Sequence, residues 1–110
     1  MSYNLLTTPE FEKEAKRISK KYPSLKNDLK ILFSSLIENP IQGFSLGNHF
    51  YKLRLAISGK KSGKSGGARI ITFIRVLDEE IILVSIYDKS VKENITKEEI
   101  KGRLSKYFKK

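Results

Sequence analysis

Apolar residues change period near the middle of this chain. Phe11, Ala15, Ile18 and Tyr22 recur at helical spacing, with Lys13, Lys16, Lys20 and Lys21 on the other face, which predicts an amphipathic helix. Thr7, Thr8 and Pro9 stand just before it. They supply a threonine cap and a proline tolerated in the first turn. The short apolar run Tyr3 to Leu6 ahead of them can form a first strand. Pro23 ends the helix, and Leu25, Leu29, Leu32 and Leu36, with Phe33 and Ile37, repeat the pattern up to Asn39 and Pro40. Two helices joined by so short a break pack as a hairpin, expected to cover one face of a sheet.

The second half alternates instead. Tyr51, Leu53, Leu55 and Ile57 are interleaved with Lys52, Arg54, Ala56 and Ser58, the pattern of a strand with one face buried and the other available for chemistry. Lys52 and Arg54 therefore point the same way. Ile70 to Leu77 and Ile81 to Ile86 are β-branched and apolar, separated by Asp78, Glu79 and Glu80, and read as the next two strands of an antiparallel meander. Thr96 and Glu99 have capping-box spacing, and Ile100, Leu104, Tyr107 and Phe108 follow as one face of a short terminal helix. The expected fold is α+β: an N-terminal helical hairpin packed on a three- to four-stranded antiparallel sheet, then a short C-terminal helix, all in one domain over 1–110.

Charge sharpens this picture. The net charge is +10 in 110 residues, a field that favours an anionic partner: nucleic acid, an acidic protein or an anionic membrane surface. It is also local, because no acidic residue occurs from Asn39 to Leu77, where Lys52, Arg54, Lys60, Lys61, Lys64, Arg69 and Arg75 all fall. The absence of cysteine rules out disulfides and thiolate chemistry, and a single His49 leaves no His/Cys cluster for zinc. No apolar stretch reaches the roughly 20 residues needed to span a bilayer, and the first residues lack the pattern of a signal peptide. A cytoplasmic protein without a metal or other cofactor is the expectation.

Two basic constellations stand out. Arg69 opens the strand that follows Lys52 and Arg54, so the three cations can share one sheet face, where Arg offers phosphate a bidentate fork and Lys a point charge. The plain alternative is a solvated sheet face whose basic residues blunt an edge. Between these strands runs Gly59-Lys60-Lys61-Ser62-Gly63-Lys64-Ser65-Gly66-Gly67. It departs from a nucleotide-binding P-loop, since Ser58 stands where the first glycine is required and a strand follows in place of a helix. A flexible basic tongue tracking a sugar-phosphate backbone through Lys60, Lys61 and Lys64 fits better; a hairpin loop without a role is the alternative. His49 reads as a turn histidine. Tyr87 and Lys89, in SIYDKS, close the last strand on the same sheet.

The order of helical hairpin, YKLRLAISG, GGARIITF and SIYDKSVKENIT, after YNLLTTPEFEKEAKRI, resembles the RelE/ParE superfamily of toxins from type II toxin-antitoxin modules, on its RelE and HigB branch. The resemblance implies a ribosome-dependent mRNA endonuclease, an mRNA interferase neutralised by a cognate antitoxin. Lys52, Arg54 and Arg69 inherit the central catalytic roles by that similarity. The family's arginine after the last strand is replaced here by Ser90, and Tyr87, Lys89 and Lys92 are the local substitutes. Cleavage without metal needs the 2'-hydroxyl to attack the adjacent phosphate, with cationic groups on the phosphoryl oxygens and the ribosome supplying orientation. A ParE-like DNA gyrase inhibitor without nuclease activity, or a non-toxic basic RNA-binding module, are the alternatives. Codon preference and oligomeric state have no signature in the chain.

Overall fold

Thr8 starts the first helix as its spacing requires: the side chain accepts a hydrogen bond from Phe11 N at 3.1 Å and donates one to Val84 O at 3.2 Å. In the computed structural model, which describes residues 3–61, 63, 66–92 and 94–109, the chain runs β1 (Asn4–Thr7), α1 (Pro9–Lys21), α2 (Leu25–Glu38), β2 (Phe44–Gly47), β3 (Phe50–Leu55), β4 (Ala68–Arg75), β5 (Glu80–Asp88) and α3 (Lys97–Phe108). Glu10 and Glu12 in the first turn of α1, and Lys20 and Lys21 in its last, complement the helix dipole. At α3, Thr96 and Glu99 form both halves of the expected capping box.

The sheet departs from the expected one in two respects. It has five strands in the order β1-β5-β4-β3-β2, and it is mixed, because β1 lies parallel to β5 while the other pairs are antiparallel. The parallel pair follows from the helical hairpin, which carries the chain over the sheet between β1 and the later strands. β2 is short and largely exposed, so it lacks the apolar alternation by which a strand is recognised.

The hairpin covers one face, as expected, and α3 covers the other. Phe11, Leu25, Leu29 and Leu36 from α1 and α2 pack on Leu53, Ile70, Ile74, Ile81, Leu83 and Ile86. On the other face Ile100 and Leu104 of α3, with Ile95 before it, pack on Ile71, Ile82, Val84 and Tyr87. The cause lies in β4 and β5, whose apolar residues are consecutive rather than alternating and so need cover on both sides. α3 supplies the second layer.

β1 pairs β5 only as far as Leu83, leaving the edge of β5 open beyond it. Glu14 of α1 and Arg103 of α3 close that edge from opposite faces. Glu14 Oε1 accepts from Ile86 N at 3.2 Å, Arg103 Nη1 donates to Val84 O at 3.2 Å, and the two side chains form a bidentate pair with both contacts at 2.9 Å. Hydrogen bonding to Glu14 raises the guanidinium pKa above its ordinary value in spite of burial. The pair satisfies strand groups that would otherwise lack partners.

Candidate functional site

Strand pairing aligns the sequence-predicted cations. In the β3–β4 register Arg54 lies directly opposite Arg69, and in the β4–β5 register Arg69 lies directly opposite Tyr87. Directly paired residues share a face at roughly 5 Å between Cβ atoms, so Arg54, Arg69 and Tyr87 form one row across three strands. Lys52 sits two residues from Arg54 on the same face. Lys89 follows immediately after β5. Lys52, Arg54, Arg69 and Lys89 line a single cleft of about 740 Å³, together with Ile31 of α2 and Phe44 of β2. The cleft opens where β3 runs on past β2.

The members of the row differ in environment. Arg54 is exposed and has no side-chain partner among the described residues. Arg69 is only 4% exposed and donates to its neighbour's carbonyl, Ala68 O, at 3.3 Å. Tyr87 is equally buried, and burial raises its pKa above the ordinary phenol value against the opposing pull of Arg69 and Lys92. The phenol is therefore a proton donor at neutral pH. Its hydroxyl donates to Asn94 Oδ1 at 3.4 Å, and Lys52 Nζ donates to the same oxygen at 3.1 Å. Asn94 thus ties β3 to β5 over the row. Nothing in the residue pattern marked it; the one local hint was Ile95, an isolated apolar residue in a polar stretch, which is buried in the second core and holds the segment down.

The start of the basic loop is docked on the fold. Ser58 donates through N and Oγ to the Asp28 carboxylate at 2.9 and 2.8 Å, and Gly59 N donates to Ser24 Oγ at 2.8 Å, docking the start of the loop on α2. Lys60 is part of that anchor and not of a mobile arm: its Nζ bonds Asp88 Oδ1 at 2.7 Å and Ser90 Oγ at 2.8 Å and lies over the Tyr22 ring. Burial alone would raise the Asp88 pKa, but the hydrogen bonds from Lys60 and Ser90 outweigh it and hold the carboxyl below its ordinary value. Lys61 is exposed as expected, and Lys64 lies outside the described residues. At the far end of the loop, a Cβ on Gly67 would meet the Leu55 carbonyl oxygen, so only glycine permits this approach of the two strands. His49 is a turn residue, at φ 67 with its carbonyl accepting from Ile74 N at 3.0 Å.

Among the described residues no three His, Cys, Asp or Glu side chains gather into a metal-binding group. The chemistry on offer is cationic: the side chains of two arginines and two lysines line one cleft, and the Tyr87 phenol stands beside Arg69 in the row. A model of the RelE toxin family, described as the RelE toxin of the RelE/RelB toxin-antitoxin system, matches residues 6–109. This chain belongs to the RelE toxin family. Solved structures agree in fold. A double mutant of the E. coli toxin RelE in the free state aligns over 98% of this chain and 99% of its own at 17% identity, with a TM-score of 0.63. The toxin-antitoxin complex RelBE of E. coli is similar over 79% of this chain and 96% of the matched chain, at 18% identity and TM-score 0.60. RelBE2 of Mycobacterium tuberculosis matches over 80% of this chain and 99% of the other, at 10% identity and TM-score 0.56. No curated protein matches by sequence. These relatives share the overall α+β fold of this chain.

Proposed function

We propose that this RelE-family chain is a ribosome-dependent mRNA endonuclease, cutting translated messages without a catalytic metal. The cross-strand row Arg54, Arg69 and Tyr87, with Lys52 and Lys89 in the same cleft, carries the reading. Cleavage forms a bond between the 2'-oxygen and phosphorus and breaks the bond from phosphorus to the 5'-oxygen. One proton leaves the 2'-hydroxyl and one reaches the departing oxygen. Arg54 and Arg69 stabilise charge on the phosphoryl oxygens. Tyr87, held protonated by burial, is suited to donate to the leaving group. Whichever of Lys52 and Lys89 receives the 2'-proton does so as the neutral amine, since an ammonium has no lone pair to accept it. With no imidazole in the cleft, orientation of the message by the ribosome supplies much of the rate.

A cognate antitoxin is the protein partner that fits a basic cleft, acting by covering it, and the structural relatives include toxins solved in complex with their antitoxins. The cytoplasm, where ribosomes and messages are, is the proposed location. Primer extension on messages from induced cells, beside the same transcript incubated with purified protein and no ribosomes, tests the function. Cuts inside coding regions and an intact naked transcript are expected. Intact messages with gyrase-dependent DNA breaks would overturn it in favour of a ParE-like inhibitor.

A further inference from the structure

Phe44 is 71% exposed and makes no ring or cation contact among the described residues. Leaving a phenyl ring in water forfeits the burial that a core position would provide. Its position is nevertheless well defined. Phe44 is directly opposite Lys52 in the β2–β3 ladder, so the two side chains share a face, and Arg54 is its diagonal neighbour. Gly43, at φ 84, brings the chain against β3 so closely that a Cβ there would meet the Lys52 carbonyl oxygen. The glycine sets the entry of β2 and with it the ring's place beside the cations. Phe44, Lys52, Arg54, Arg69 and Lys89 line one cleft.

An exposed aromatic beside a line of cations is the combination that single-stranded nucleic acid engages, the base stacking on the ring while the phosphate meets the charges. We propose that Phe44 is the stacking platform for an unpaired RNA base next to the phosphate held by Arg54 and Arg69. The inference deepens the nuclease reading and rests on it for the identity of the strand. Charge complementarity favours RNA over an apolar partner, because the four cations line the same cleft as the ring. Since every base has a π face, the platform contributes affinity and register along the strand more than base identity.

The chain has no tryptophan, so Phe44→Trp places a sole indole reporter at the platform while keeping an aromatic face. Titration with a short single-stranded oligoribonucleotide at low salt should quench its fluorescence, and an abasic residue at one position should abolish the quench. In the otherwise natural chain, Phe44→Leu should weaken oligonucleotide binding by about tenfold to a hundredfold, whereas Phe44→Tyr should bind like the parent. On ribosomes Phe44→Leu should redistribute the cut sites, whereas Arg54→Ala should lower cutting on the order of a hundredfold at all of them. Equal quenching by every abasic oligonucleotide, or unchanged affinity in Phe44→Leu, overturns the platform. Quenching by a peptide of alternating leucine and glutamate, with none by RNA, would assign the ring to a protein partner and also overturn it. Quenching and affinity loss as expected, with no cutting by the parent on ribosomes, would retain the platform and reject the nuclease.

Discussion

Arg54 and Arg69 occupy equivalent places in the register but differ in burial, and the difference separates catalysis from stability. Arg54 is exposed with no side-chain partner among the described residues. Arg54→Ala should therefore leave the unfolding free energy within about 0.5 kcal/mol of the parent, while cutting falls on the order of a hundredfold through lost charge stabilisation. Ribosomal cleavage assays beside thermal melts check this, and full activity in a well-folded variant would remove Arg54 from the mechanism. Arg69 is 4% exposed at the centre of the row. Arg69→Ala should lose cutting to a similar extent but also lower the melting temperature, since a buried residue is truncated. Arg69→Lys should recover little activity, because an ammonium cannot present the planar fork.

At the level of the elements, the start of the loop between β3 and β4 is held by the Lys60–Asp88 ion pair together with the bonds to Asp28 and Ser24. Lys60 and Asp88 are 15% and 7% exposed and meet at 2.7 Å, so Lys60→Met leaves a buried carboxylate with, among the described residues, only Ser90 for support. A destabilisation of about 3 kcal/mol at neutral pH is expected. The pH dependence has a definite sign. Asp88 has a depressed pKa in the folded state, so its contribution is fully present above the ordinary carboxylate pKa and is lost as pH falls through the depressed value. The gap between parent and Lys60→Met should accordingly narrow on acidification. Chemical denaturation at pH 7 and at successively lower pH measures it, and a gap independent of pH would show that Lys60 acts by packing alone.

Across the whole molecule, Glu14 and Arg103 join the helix layers of both faces at the open edge of β5. The pair is far along the chain but close in space, and each partner also satisfies a strand backbone group. Arg103→Met should cost about 3 kcal/mol or more, since Glu14 is left partly buried and uncompensated and Val84 O loses a donor. Adding Glu14→Gln should restore part of that loss. Urea unfolding of both single variants and the double variant gives the coupling, expected at about 1–3 kcal/mol; additive losses would mean that the two side chains act independently. Activity should follow folded fraction only, because neither residue reaches the cleft.

The sequence by itself determined the helical hairpin, the strand that presents Lys52 and Arg54, the two apolar strands after it and the capped last helix. Each of these is written in local spacing: three to four residues for Phe11, Ala15 and Ile18, and two for Tyr51, Leu53 and Leu55. It also placed Arg69 near the basic pair, since hairpin partners are adjacent, and Tyr87 on the same sheet. Only the tertiary structure decided that Arg54, Arg69 and Tyr87 stand in one row, because register depends on where strands lock together and a shift of one residue would send them to opposite faces. The parallel β1, the exposed β2, the bonds of Asn94 to Lys52 and Tyr87 and the capture of Lys60 by Asp88 are contacts that no local spacing sets. No local period records them. They arise when two cores close on the same sheet and polar groups near their margins must find whatever partners the fold brings within reach.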